Sequence, residues 1–552
     1  MCSLVAGACG GPAAQPASVQ VSPAPVDLVV LDADIHTMDP ARPRASALAI
    51  RGGAIVAIGE SSEIAKLAGP TTQRLALAGA TVTPGLIDAH CHLYGLGVDL
   101  EAVSVRGQSS EADTVALVVA GAKTRPAGEW LLGRGWDQNR WPGQQFPTKA
   151  SLDAVIRDRP VLLRRVDGHA SWVNSKALEA AGITAATKDP PGGKIVRDRR
   201  GEPTGVLIDN ASDLVDAKVP AASPEIRERR IREAARRAIA AGLTGVHEMG
   251  IDDATAGVYR RLAATNQLPL RVYAFLAGDP ANTNRLTASP EPPVGRFQMR
   301  GVKFFADGAL GSRGARLYAA YDDDRDNQGL WVTTPPALAA AIEVAVAHGW
   351  QVATHAIGDA AIGSVLDAIA AAQQRHPGDL RARIEHLQVL APQDLPRVVA
   401  TRAIASMQPT HATSDMPWAE QRIGAHRIRG AYAWRTMLDH DVPLAAGSDF
   451  PVEDVAPLLG IYAAVTRQDA HGTPAGGWYP EQRLTLDEAI AAFTIGAAYA
   501  QFAEAERGMI AVGRTADLTV FDGPLEPNRS LLSRRVDYTI VDGKLAYRRE
   551  RP

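Results

Sequence analysis

Two histidines one residue apart, His90 and His92, close the stretch Ala78–Leu93, which reads AGATVTPGLIDAHCHL. An apolar, β-branched run breaks at Pro84-Gly85 and resumes as Leu86–Ala89 before delivering them. Side chains at i and i+2 of a strand share one face, so the two imidazoles project together as a pair of metal ligands. Cys91 between them faces away and is expected to be a small buried residue. Lys303 follows on the strand-like 301–305, His355 after 351–354, His386 after 383–385, and Asp449 after 442–446. Four neutral imidazoles and a carboxylate suit zinc and related divalent ions. A lysine joins such a set only once its amine has reacted with CO2. The resulting carbamate is an anion whose two oxygens can bridge two metals. Two ions about 3.5–4 Å apart would polarise a carbonyl and activate a water. Asp449, as ligand and proton acceptor, would pass that water's proton to the leaving group. Each residue alone has a plainer use, Asp449 as a helix N-cap, Lys303 as a salt-bridge partner, His355 and His386 as structural histidines. Their joint occurrence near strand ends is what makes them a candidate site.

Such a set needs strands that end together. Helical stretches (226–241, 337–348) alternate with short strand-like runs (302–305, 351–354, 383–385, 442–446), the pattern of a parallel α/β architecture. A closed (β/α)8 TIM barrel is expected, with its chemistry at the C-terminal strand ends. The expected barrel spans 84–500 and carries an insertion at about 103–216, rich in Trp, Arg, Gly and Pro. Both chain ends are β-rich, so 26–83 and 501–552 are expected to form one small composite β-sandwich.

Across 552 residues, 46% are hydrophobic and 22% charged, and the formal net charge of -3 gives no sign of nucleic-acid binding. Cys2, Cys9 and Cys91 cannot make a disulfide framework. Residues 1–25 read as a signal-like or disordered tail. Within it, Val5-Ala6-Gly7-Ala8-Cys9 is similar to a bacterial lipoprotein processing site. A lipid anchor at Cys9 and a periplasmic or membrane-anchored location are expected, with a cytoplasmic location as the alternative.

The motifs TPGLIDAHCHL (83–93), GVKFFADGALGSRGA (301–315), HAIGDAAI (355–362), RIEHLQ (383–388), SMQPTHATSDM (406–416), GSDFPVE (447–453) and GWYPEQRLTLDEA (477–489) carry a resemblance. From about Val26 to Tyr547 the chain resembles the amidohydrolase superfamily, in the amidohydrolase family 3 branch that includes N-substituted formamide deformylase. The resemblance implies a metal-bearing barrel with a β-sandwich made from both chain ends. It implies His90, His92, Lys303, His355, His386 and Asp449 as ligands of one or two divalent ions, zinc first, with Lys303 carboxylated. His411 would donate a hydrogen bond to a developing oxyanion. Ser312 and Arg313 would contact substrate, Arg313 holding a carboxylate. Asp359 would orient a ligand. Trp136, Asp137 and His169 would roof the pocket and bind substrate. The implied reaction is hydrolysis of a non-peptide C–N bond in an N-formyl amine, N-acyl amine or related small amide. A cyclic amide, lactone or carbamate hydrolase, a heterocycle deaminase and a non-catalytic scaffold are the alternatives. A homodimer is one expected assembly.

Overall fold

The computed structural model describes residues 25–126, 128–279 and 283–550. The expectations for the N-terminal tail, Cys9 included, lie outside them. Among the described residues no helix is long and apolar enough to cross a membrane.

Eight parallel strands run in chain order around one sheet: β1 (Leu86–Cys91), β2 (Leu243–Ile251), β3 (Arg271–Ala277), β4 (Phe297–Phe305), β5 (Gln351–Ala356), β6 (Arg383–His386), β7 (Ile404–Met407) and β8 (Leu444–Ala446). The ends meet just beyond β8, where Asp449 N–H donates to the His90 carbonyl (2.7 Å) and His92 N–H to that of Phe450 (2.8 Å). This is the TIM-barrel form of the α/β class. β1, β5 and β6 are buried along their whole length, as strands covered on both faces must be. The helix Pro224–Ala240 shows how the outer layer is built. Ser223 caps it by accepting the Ile226 N–H, and Pro224 occupies the first turn, where no N–H is needed. Its buried Ile231, Ala234, Ala235, Ala238 and Ile239 recur at helical spacing and pack against Leu96 and Leu243.

Strands from the two chain ends share a six-stranded sheet in which Leu518–Phe521 pairs antiparallel with Thr81–Pro84. A four-stranded sheet from Leu28–Ala76 faces it, and Val30, Leu48 and Ile50 share one core with Val82, Leu518 and Ile540. Between β1 and the Pro224–Ala240 helix, residues 103–209 form a separate six-stranded mixed sheet. Its core holds Trp136, Trp141 and Trp172, with ring centroids 6.2–6.3 Å apart. This sheet is fastened over the barrel mouth. Arg106 donates to the Pro451 and Val452 carbonyls just beyond Asp449, and the Asn139 side-chain amide donates to the Gly311 carbonyl.

Candidate metal centre

The C-terminal ends of β1, β4, β5, β6 and β8 bring the ligand-type residues to one place. His90 lies near the end of β1 and His92 one step past it, Lys303 is on β4, His355 on β5, His386 ends β6, and Asp449 follows β8. His411 projects from the short helix Pro409–Asp415 after β7. Asp449 is the hub. Its Oδ1 stands 3.2 Å from His92 Nε2 and 3.5 Å from His90 Nε2, while Oδ2 is 3.8 Å from His411 Nε2. Lys303 Nζ is 3.3 Å from His90 Nε2. The His386 ring lies 4.8 Å from that of His90 and 4.7 Å from that of His355. Among the described residues two sets have ligand atoms mutually within 4.8 Å, His90–His92–Asp449 and His386–His411–Asp449. His355 stands just outside both, its Nε2 3.3 Å from the Gly308 carbonyl.

The strand ends also fix which nitrogen each histidine offers. His90 Nδ1 is 2.5 Å from Glu385 Oε2, His92 Nδ1 3.0 Å from the Met249 carbonyl, and His386 Nδ1 2.7 Å from Gln408 Oε1. A ring whose Nδ1–H is spent on an oxygen presents a bare Nε2 to a metal. His386 and Asp449 adopt φ of +73° and +58°, a conformation uncommon for residues other than glycine and concentrated at functional sites.

Electrostatics favour the ligand form of His90, Lys303, His355, His386 and Asp449. Burial and the Lys303 charge push His90 down to about 4, and burial holds His355 and His386 well below the usual histidine range. Burial lowers Lys303 to about 8, against the pull of Glu385 and Asp449. Burial pulls Asp449 upward, but His90, His92 and His386 outweigh it and keep the carboxylate ionised. Buried Asp449 Oδ1 and His411 Nε2 have no hydrogen-bond partner among the described residues. Buried polar atoms rarely go unsatisfied. An orphaned carboxylate oxygen amid histidine rings fits a divalent metal.

Two cavities flank this centre and share His169, His355, His386 and Asp449. One, of about 330 Å³, lies beneath the 103–209 sheet and includes Asp137, His411, Asp415 and Trp418. The other, of about 740 Å³, includes His90, His92, Lys303 and Arg134.

Several expected contacts fall elsewhere. Trp136 is a core residue of the 103–209 sheet, its indole N–H donating to the Leu163 carbonyl (2.8 Å), and it lines neither cavity. Ser312 is buried with its hydroxyl on the Ala309 carbonyl, and Arg313 turns to Asp323 (3.0 Å), so neither reaches the cavities. Asp359 orients no ligand; its carboxylate accepts the Tyr318 and Ala360 N–H groups and ties that loop to the helix after β5. Asp137 lines the smaller cavity with its carboxylate on Arg165. His169 reaches both cavities, ring 4.8 Å from His355, Nδ1 2.7 Å from Asp209. Cys91 is buried, its thiol on the His247 carbonyl.

The main residue that sequence reasoning passed over is Glu385. It is wholly buried, receives Arg383 Nε (2.7 Å) and orients His90. Burial would raise it, yet Arg383 and His90 hold it well below the usual carboxylate range. The signal was present in RIEH, where two charges at i and i+2 on an apolar strand must face the barrel interior and pair there.

Residues 74–547 match the family model described as the amidohydrolase family. The chain belongs to that family. It is 34% identical over 524 residues to YtcJ of Bacillus subtilis (strain 168), assigned by name to the amidohydrolases, covering 93% of this chain and 98% of that protein. It is 28% identical over 545 residues to N-substituted formamide deformylase of Arthrobacter pascens, covering 95% and 98%. Among solved structures it is similar to an uncharacterized metal-dependent hydrolase from Pyrococcus horikoshii OT3. That match has a TM-score of 0.72 at 26% identity, covering 91% of this chain and 98% of that one.

Proposed function

We propose that this chain hydrolyses a small amide-type C–N bond, with N-formyl and N-acyl amines as its substrate class. The supporting observation is the convergence of His90, His92, Lys303, His386, His411 and Asp449 at one barrel mouth, three of the imidazoles with Nδ1 already committed. Similarity to an N-substituted formamide deformylase supports the choice of substrate class.

His90, His92, His355, His386 and Asp449 would hold one or two divalent ions, zinc first, together with Lys303 as its carbamate. Lys303 forms that carbamate when its neutral amine adds to CO2 and releases a proton, and burial, by lowering its pKa to about 8, raises the neutral fraction. Bound metal would supply Lewis acidity that polarises the carbonyl and acidifies water. Asp449 takes the proton from the attacking water and delivers it to the departing nitrogen. His411 donates to the oxygen that gains charge as the carbonyl carbon becomes tetrahedral. The 103–209 sheet is fastened beside the mouth through Arg106 and Asn139 and would cover a bound substrate.

The test is a panel of N-formyl amines, N-acyl amines, lactams and aminated heterocycles, offered to protein purified with divalent metal and bicarbonate. Amine release from the open-chain amides is expected, and Asp449→Asn should lower kcat by about 10²–10⁴-fold. Exclusive ammonia release from heterocycles, or wild-type turnover by the Asn variant, would overturn the reading.

A further inference from the structure

Of the three guanidiniums lining the larger cavity, Arg134, Arg164 and Arg227, Arg134 alone has no hydrogen bond to a carboxylate among the described residues. Arg134 sits on the strand Leu131–Trp136, in register with Arg164 on the neighbouring strand. Arg164 is bound by both oxygens of Asp216, each at 2.7 Å. Arg106 is committed to the Pro451 and Val452 carbonyls. Among the described residues Arg134 makes one neutral hydrogen bond, Nη2 to the Val166 carbonyl at 3.1 Å. Its nearest carboxylate, Asp99, is 4.0 Å from Nε, beyond hydrogen-bond reach, and the buried Nε has no acceptor among the described residues. Burial lowers it to about 10 against the pull of Asp99, with the nearby Arg106 and Arg164 charges adding to the fall.

Gly168, at φ +81°, lies beside this group, its Cβ position 3.6 Å from Arg134 Nη2. Gly168 and Arg134 line the same cavity as His90, His92, Lys303 and Asp449. A planar guanidinium with free donors, walled in beside the reacting centre, is suited to a two-oxygen anion.

We infer that Arg134 is a specificity residue that holds a carboxylate on the substrate, making the preferred compounds N-formyl or N-acyl amino acids rather than neutral N-acyl amines. This rests on the hydrolytic reading for the scissile bond but not for the anion site. Arg313, engaged with Asp323, cannot fill the role.

The anion site is tested first on metal-free protein by calorimetric titration with phenylacetate and phenylacetamide. Phenylacetate is expected to bind more tightly, Arg134→Gln to lose about 10- to 100-fold of that affinity, and Arg134→Lys to keep part of it. On metal-loaded protein, the kcat/KM ratio of N-formylphenylalanine over N-formylphenethylamine should fall at least about tenfold in Arg134→Gln, carried by KM. Equal binding of acid and amide, or an unchanged ratio in a variant that melts like wild type, would overturn the inference. A chain inert toward every formamide, whose phenylacetate binding still requires Arg134, would support the anion site and sink the hydrolytic reading instead.

Discussion

Replacing Glu385 by Gln removes one negative charge, keeps the shape, and breaks a shared set of hydrogen bonds. The carboxylate accepts Arg383 Nε at 2.7 Å and Arg383 Nη2 at 3.2 Å while meeting His90 Nδ1 at 2.5 Å. All three residues are fully buried. A glutamine has one acceptor oxygen and cannot replace both Oε1, which takes Arg383 Nε, and Oε2, which meets His90 Nδ1. If the oxygen faces Arg383, the amide N–H faces His90 Nδ1 and drives the proton to Nε2, the nitrogen meant for metal. If it faces His90, Arg383 meets a donor. Loss of such an oriented ligand costs about 10- to 100-fold in metal affinity, about 1.4–2.7 kcal/mol. Leaving Arg383 incompletely neutralised costs stability as well, about 3 kcal/mol. Competition of wild type and variant against a metal-buffering chelator measures the first, and denaturant unfolding of the metal-free proteins the second. A variant with wild-type metal affinity would refute the claim that Glu385 sets the His90 tautomer.

Two more buried groups give testable outcomes. Trp136→Ala should cost about 3–5 kcal/mol by emptying the aromatic core around Trp141 and Trp172; wild-type unfolding would show that this core does not hold the 103–209 sheet together. Burial raises Asp415 to about 7, so its folded pKa exceeds its unfolded one. Its stabilising protonated form is complete below about pH 4 and lost as pH rises through 7. Asp415→Asn should therefore melt like wild type near pH 4 and above it at pH 8, and a gap that closes with rising pH would contradict the assignment.

The barrel was largely legible because its strands are short apolar runs that end in the candidate site residues. LIDAHCH and RIEH announce both the strand and a candidate ligand. β4 is longer than its apolar run, beginning at Phe297, because Gln298 and Arg300 alternate outward and mask its first half. The ligand-type residues could be read because their side chains are fixed by position on a strand. The substrate contacts could not, because loop side chains choose partners by proximity that sequence does not carry. Arg313 found Asp323 and Asp359 found the Tyr318 N–H. Trp136 went into the core of its own sheet, since an indole with its N–H on a backbone carbonyl is a satisfied interior residue. Arg134, one strand position from Gly135 in the same GRGWDQ stretch, carries no signal in the sequence, because only the fold shows that its nearest carboxylate, Asp99, stands beyond hydrogen-bond reach.

The most direct test is metal content per chain by plasma mass spectrometry, on protein purified without chelators and with bicarbonate present. At least one tightly held zinc-like equivalent is expected, two if Lys303 is carbamylated, with loss of that metal in His90→Ala and Asp449→Ala. A folded chain that retains no metal and takes up none on reconstitution would contradict the metal centre.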